Sequence, residues 1–291
     1  MKEFLTSSGK YPRRYILILI SVAILAVGLN VPTIAESEEP PPSSATINLI
    51  DAQIAQQLAT LPTRKVLVRN DKLYGGDHEY EGYKIEAVIA WLSQRTRVSV
   101  DNAAMSFIAS DGYLSRVSLR ELPKRAGILA FRESGGSREK PFRDSKSATV
   151  PFNPGPYYLI WEGTFDDKLP TPWGVTSVSL AADDIPAEHI PPHDTPQLNR
   201  GLEIWRTHCS KCHAINKIGG TMGPELNVPK NVTEYWQPER LRELIENPAT
   251  LRWGSKMPPY NWMPTGDREA ILAYLAAMKE KKVCNSEVTC H

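Results

Sequence analysis

Residues 209–213 read CSKCH: Cys209, Ser210, Lys211, Cys212 and His213. Two thiols and an imidazole within five residues constrain this chain more than any other feature, because whatever they bind fixes the backbone around it. Three uses compete. A structural zinc site needs four ligands, usually a second Cys/His pair at defined spacing. The other cysteines, Cys284 and Cys290, lie more than 70 residues downstream and six apart, a poor match. A thioredoxin-like redox pair belongs in a βαβ unit, whereas this motif follows a helical pattern and precedes the glycine-rich loop GGTMGPEL at 219–226. Haem attachment accounts for the two cysteines, their spacing and the histidine together. Each thiol forms a thioether to one haem vinyl group, and the next residue is held beneath the iron as proximal ligand. C-x-x-C-H is the signature of c-type attachment, and it predicts one covalent haem c on Cys209 and Cys212 with iron ligated by His213.

The N-terminus supplies a compartment for that chemistry. Lys2, Lys10, Arg13 and Arg14 precede an uncharged run over residues 15–35, 21 residues long. Thr33 and Ala35 stand at the −3 and −1 positions of a cleavage site before Glu36, the pattern of a secretory signal. The run is also long enough to span a bilayer as an uncleaved anchor. Both readings place the rest of the chain in the periplasm, soluble or anchored to the inner membrane by residues 15–35. Cys284 and Cys290, in the tail CNSEVTCH, are expected to close a short disulfide loop there. A net charge of +1 gives no bulk attraction for nucleic acid.

Composition shifts divide the chain. After the signal peptide or signal anchor (1–35), the charged, Pro/Ser-rich segment 36–45 reads as a linker. Residues 46–184 mix a helical pattern, IEAVIAWL (85–92), with short apolar or alternating runs at 106–112, 127–133, 157–163 and 174–182 that suit strands. This block is expected to be an α+β domain. The proline-rich stretch 185–196 reads as a second linker. Residues 197–282 carry three helical patterns, within 198–209, 237–248 and 265–282, and are expected to form an all-α domain before the tail 283–291. The fold class is therefore multidomain, α+β followed by all-α.

A haem needs a sixth ligand or an open site. Met/His ligation raises the potential of haem iron. Met222 lies only nine residues from His213, too near to cross easily to the opposite haem face. Met278 falls on the apolar side of the last helical pattern. Met257 and Met263 both precede proline, and Met257 sits in SKMPPY, where two prolines stiffen the backbone. Met257 is the expected iron ligand. His208, beside Cys209, is read as a surface or haem-edge residue. Trp253, Tyr260 and Trp262 flank the ligand loop as pocket or core residues. Lys211, Lys217, Arg252 and Lys256 would give a mildly basic face near the haem. Residues 197–282 hold 13 basic and 9 acidic side chains, while residues 36–196 carry a net charge of −5.

In this order, Gly201 and Trp205, CSKCH, GGTMGPEL, KMPP and AILAYLAAM resemble a mono-haem class I cytochrome c domain over residues 197–282. The resemblance implies that the first and last helices cross, with Gly201 letting an aromatic approach and Trp205 meeting Tyr274. It also implies that the carbonyl of Pro224 accepts the proton of His213, in line with the general rule that a ligating histidine donates its other nitrogen. The implied role is electron transfer between redox partner proteins rather than catalysis.

Residues 46–184 resemble, more weakly, the molybdopterin-binding domain of sulfite-oxidase-like enzymes, through FIASDGY, SLREL, ILAFRE, PFNPGPYYLIW and WGVTSVSL. Those enzymes bind molybdenum through a cysteine, and no cysteine precedes Cys209 here. The resemblance therefore implies a scaffold or docking module without the cofactor. His78, His189 and His193 are metal-ligand candidates, and Asp111 and Glu133 acid/base candidates, with nothing in the sequence to pair them. Two other functions stay open: the cytochrome-containing subunit of a periplasmic dehydrogenase, and a haem-based sensor, which would want an open sixth position.

Overall fold

The computed structural model describes residues 46–284 and Cys290, apart from Pro123, Arg138, residues 147–151 and Asp167. The signal segment and first linker, read over 1–45, lie outside the described residues. Among the described residues no helix is long and apolar enough to cross a membrane. Cys284 and Cys290 are joined in a disulfide.

The first half contains, in chain order, β1 (Thr46–Asn48), α1 (Ala52–Leu58), β2 (Thr63–Arg69), β3 (His78–Lys84) and α2 (Ile85–Thr96). There follow β4 (Ala103–Ala109), β5 (Leu114–Ser118), β6 (Gly127–Glu133), β7 (Tyr158–Trp161), β8 (Gly163–Thr164) and β9 (Val175–Ala182). One sheet runs β1-β9-β4-β5, all antiparallel, and the other runs β7-β6-β3-β2-β8 with only the β2–β8 pair parallel. The helical spacing of IEAVIAWL buries Val88, Ile89, Trp91 and Leu92 in one core with Met105, Phe107, Val178 and Leu180 of the first sheet and Leu129 and Leu159 of the second. The opposite face of the second sheet buries Val66, Val68, Tyr80, Ile128, Ala130, Tyr158 and Ile160. Strands β6 and β7 are thus covered on both faces, which is why they read as apolar runs rather than as alternation.

A polar knot lies beneath that sheet. Glu133 is 1 % exposed, and its carboxylate meets His78 Nε2 at 2.6 Å, Arg143 Nε at 2.6 Å and the Gly135 amide at 2.7 Å. Tyr80 donates to Asp71 Oδ2 at 2.8 Å. Burial alone would push the Glu133 carboxyl up, but Arg143, the Gly135 amide and His78 outweigh it and hold the group below the usual carboxylate range.

The second half begins with α3 (Pro196–Ile204), capped by the Thr195 side chain with proline at the first turn. It widens into a π turn over Trp205–Cys209. Then come β10 (Ala214–Ile215), β11 (Ile218–Gly219), α4 (Pro238–Glu246), α5 (Pro248–Leu251) and α6 (Thr265–Met278). The three helical patterns thus correspond to α3, α4 and α6. This half is not purely α: β10 and β11 form a small antiparallel ladder, turned by Asn216 and Lys217 at φ 54° and 67°. Helices α3 and α6 cross tightly at Gly201, where a Cβ would come within 2.3 Å of the Ala270 carbonyl oxygen. The Trp205 and Tyr274 rings lie 6.5 Å apart beside that crossing.

The stretch 185–196, expected as a linker, packs as a strap on the second half. His189 is 4 % exposed, its Nε2 lies 3.0 Å from the Ile218 carbonyl, and its own carbonyl accepts from the Tyr274 hydroxyl at 2.8 Å. The backbone of the strap is irregular apart from a helical turn at Ala187–His189. The buried histidine is what ties it down.

Glu133→Gln is expected to cost roughly 1–3 kcal/mol, since Arg143 keeps some water contact while His78 loses its buried acceptor charge. A carboxyl with a lowered folded pKa stabilises above its unfolded value, and that contribution is lost as pH falls through the folded value. Urea unfolding across the acid range should therefore show wild type and variant converging at low pH; a constant gap would contradict this.

Candidate functional site

The π turn presents the CSKCH segment. The Ser210 amide donates to the Trp205 carbonyl at 2.9 Å, and the Cys212 and His213 amides both donate to the Cys209 carbonyl, at 3.1 and 3.0 Å. These bonds fold the five residues into one compact turn. Cys209 and Cys212 are free thiols, each partly buried. Burial pushes the Cys209 thiol up to about 12, with the neighbouring Cys212 adding to it. Burial and then Asp111 raise Cys212 as well. Exchange-active cysteines have lowered pKa values, so these two are poorly suited to a redox pair.

His213 is fixed by its second nitrogen. Nδ1 lies 2.8 Å from the Pro224 carbonyl oxygen, so the proton on Nδ1 donates there and Nε2 keeps its lone pair. Burial lowers the imidazole pKa, which favours the neutral form a metal takes, although the Pro224 carbonyl opposes it. Gly223 leaves room for the ring: a Cβ there would lie 2.4 Å from Cε1 of His213. The Gly223 amide also closes the loop onto the Cys212 carbonyl at 2.6 Å. The donor set therefore fits a c-type haem: two thiols outside any disulfide, an oriented neutral imidazole and a glycine loop that lets the ring lie against the backbone.

The loop is held from behind by a buried amide chain. Asn231 Nδ2 donates to Asn227 Oδ1 at 2.7 Å, and Asn227 Nδ2 donates to Asn216 Oδ1 at 2.9 Å. Asn231 also donates to the Leu275 carbonyl in α6 at 2.9 Å, and Glu225 accepts from the Asn216, Asn227 and Val228 amides. None of these residues stands out in the sequence as a positioning group, because asparagines in a loop rich in glycine and proline read as ordinary turn residues.

Burial separates the methionines. Met263 is 4 % exposed inside the core of this half, with Trp205, Ile271 and Tyr274, and Met278 is fully buried there. Met222 and Met257 are each only partly buried. The Met257 amide donates to the Ser255 hydroxyl at 3.3 Å, within the turn that follows α5. His208 belongs to an aromatic group, 5.9 Å from the Tyr260 ring and 5.4 Å from Trp262, and its carbonyl accepts from the Tyr260 hydroxyl at 3.2 Å. Trp253 is 99 % exposed and takes no part in the core. Lys217, Arg252 and Lys256 are exposed, and Lys211 is partly buried.

The histidine candidates outside the motif are not brought together. His78 is held by Glu133, His189 by the carbonyls of Ile215 and Ile218, and His193 by Glu280 at 3.3 Å. Among the described residues no three His, Cys, Asp or Glu side chains group to hold a metal ion. Asp111 is placed instead near Cys212, at the tip of the hairpin between β4 and β5, with Tyr113 beside it. Tyr113 went unremarked in the sequence. Its only local sign is the Asp-Gly turn before it, which marks a tight hairpin but not what the hairpin touches.

The family described as cytochrome C oxidase, cbb3-type, subunit III matches residues 196–275. Over 87 residues the chain is 31 % identical to the cytochrome c oxidase subunit 2 of Alkalihalophilus pseudofirmus. It is 26 % identical over 98 residues to the cytochrome c of Euglena viridis and 27 % identical over 96 to the cytochrome c of Gibberella zeae. These matches take in 28 %, 28 % and 27 % of this chain, and 25 %, 96 % and 91 % of the respective relatives. The chain thus spans a quarter of the oxidase subunit's length. The family match begins at residue 196, so residues 46–184 lie outside it.

Gly223→Val should drive the His213 ring off its carbonyl partner. In NMR of histidine-labelled protein the wild type should show a protected Nδ1 proton on His213, and the variant should lose it. A signal unchanged in the variant would mean that the close approach does not hold the ring.

Proposed function

We propose that this chain, whose C-terminal part is a class I cytochrome c domain, carries single electrons through one haem c bound covalently by Cys209 and Cys212. The observation that carries the reading is the Nδ1 bond of His213 to Pro224, since it turns the histidine after C-x-x-C into a fixed iron ligand. A haem held there supplies a one-electron couple whose potential follows from axial ligand and burial.

The protein's own contributions can be named. Cys209 and Cys212 would hold the haem covalently. His213 would ligate its iron, and the carbonyl of Pro224 keeps the Nδ1 proton in place. Met257 would supply the second iron ligand: its thioether suits reduced iron, and Met263 is buried in the core. Leu202, Ile215 and Leu226 belong to the apolar cluster against which Cys209 packs, and would keep water from a haem bound there. Ligands that remain bound in both oxidation states leave little to reorganise.

We read residues 15–35 as delivering the chain to the periplasm, as a cleaved signal or as an inner-membrane anchor. We read residues 46–184 as a module that holds a redox partner near the haem. The matched family and one relative are named as oxidase subunits. This supports a second form of the reading, in which the chain passes electrons within a larger oxidase-type complex.

Met257→Ala should abolish the weak ferric absorption near the red end of the spectrum that marks sulfur–iron ligation, and lower the midpoint potential. Met263→Ala should leave that band in place and instead cost about 2–5 kcal/mol of stability as a core truncation. The reverse outcome would overturn the ligand assignment.

A further inference from the structure

The hairpin that joins β4 to β5 leaves the first half of the chain and lands on both loops of the haem site. The Leu114 amide donates to the carbonyl of Lys211, inside CSKCH, at 2.8 Å. Two residues earlier, the Gly112 carbonyl accepts from the amide of Thr221, in GGTMGPEL, at 2.8 Å. Those two loops are themselves joined by the bond from the Gly220 amide to the Ser210 carbonyl at 2.8 Å. The hairpin tip is therefore a backbone clamp across the turn that carries the thiols and the loop that carries Pro224.

The clamp is built tightly. Gly112 has φ 87°, a conformation that favours glycine, and a Cβ there would come within 2.3 Å of the Thr221 hydroxyl oxygen and 2.8 Å of the Met222 amide nitrogen. The Asp111 side chain accepts from the Tyr113 amide at 3.0 Å, and the Ala109 amide donates to the Tyr113 carbonyl at 2.9 Å, so Tyr113 is fixed on both sides of its backbone. Its phenol is pushed up by burial first, then by Cys212 and Asp111. Tyr260, from the loop after Met257, is pushed up by burial and then by Cys209, Cys212 and Tyr113. The backbone bonds of Gly112 and Leu114 thus seat Tyr113 beside the turn that carries Cys212, where Tyr260 from a distant part of the chain also feels that thiol.

We propose that Tyr113, carried by the α+β half, is a positioning residue that walls the Cys212 side of the haem pocket, so that the first half completes the electron-transfer site rather than merely hanging from it. The inference rests on the haem reading above. Its physical content is that the ring keeps water from the thioether edge. Water there would stabilise the more highly charged ferric state and lower the potential, since burial is one of the protein's levers on haem iron. The clamp from Gly112 and Leu114 keeps the ring there by fixing the hairpin to both loops. A hairpin that served only as glue between the halves would leave the potential indifferent to the ring.

The experiment uses the full, matured chain and three variants: Tyr113→Phe, Tyr113→Ala and Gly112→Val. Optical redox titration reads the midpoint potential, and amide hydrogen exchange reads Leu114 and Thr221. Tyr113→Ala should shift the potential downward, and Tyr113→Phe, which keeps the ring, should stay near wild type. Gly112→Val should shift it in the same direction as Tyr113→Ala while the Leu114 and Thr221 amides lose protection. A Tyr113→Ala potential equal to that of wild type would overturn the proposal, as would unprotected Leu114 and Thr221 amides in wild type. Haem staining of the denatured chain separates this from the parent reading. A wild-type polypeptide that sheds its haem overturns covalent attachment, whereas a stained polypeptide with unmoved potentials overturns only the wall.

Discussion

The hydrogen bond between His213 Nδ1 and the Pro224 carbonyl is the constraint on which the rest of the site depends. An imidazole in a flexible turn would present either nitrogen to a metal. Here one is committed, and the other is left to point away. Everything around the bond keeps its two ends at the right separation. The Cys209 carbonyl gathers the Cys212 and His213 amides, and the Gly223 amide returns to Cys212. The asparagine chain from Asn216 to Asn231 ties the far side of the loop to α6. Each of these buried amides has a partner, as buried polar groups must if they are to stabilise rather than cost. The closeness of α3 and α6 at Gly201 then holds the π turn and the loop in one frame.

The two halves of the chain are less separable than their composition suggests. The described residues of both halves pack as a single compact unit. The strap at 185–196 is pinned by His189, whose ring lies 5.8 Å from Trp205 and whose carbonyl holds Tyr274. The same residue therefore touches both helices of the crossing that supports the motif. On the other side, the hairpin tip bonds to Lys211 and Thr221. A module joined at two such places is part of the site's framework, and any partner it holds is held at a fixed place relative to the thiols.

Much of this was legible in the sequence, for local reasons. CSKCH is contiguous, so its chemistry could be read without knowing the fold. GILAFRE matches β6 residue for residue, and AILAYLAAM forms most of α6, because both are apolar patterns with strong periodicity or continuous burial. Strands β2 and β3 were harder. TRKVLVR and HEYEGYK carry charges on exposed positions and bury tyrosines and valines between them, so their β character shows only once pairing is known. What the sequence withheld was non-local. Met257 and Met263 both precede proline; the second proline after Met257 separates them locally, but the burial of Met263 shows only in the fold. Tyr113 lies nearly a hundred residues before Cys212, and no periodicity links the two. The buried His189 hid in a stretch whose prolines advertised a linker.

Cys209 and Cys212 are proposed to hold one haem covalently, with His213, oriented by the Pro224 carbonyl, as an iron ligand. Intact-mass spectrometry of the denatured protein, matured in an exporting host, tests it most directly. A polypeptide heavier by one haem is expected in wild type, and no such adduct once Cys209 and Cys212 are both replaced by alanine. A wild-type chain that unfolds to the mass of the bare polypeptide, or one whose adduct survives the double replacement, would contradict it.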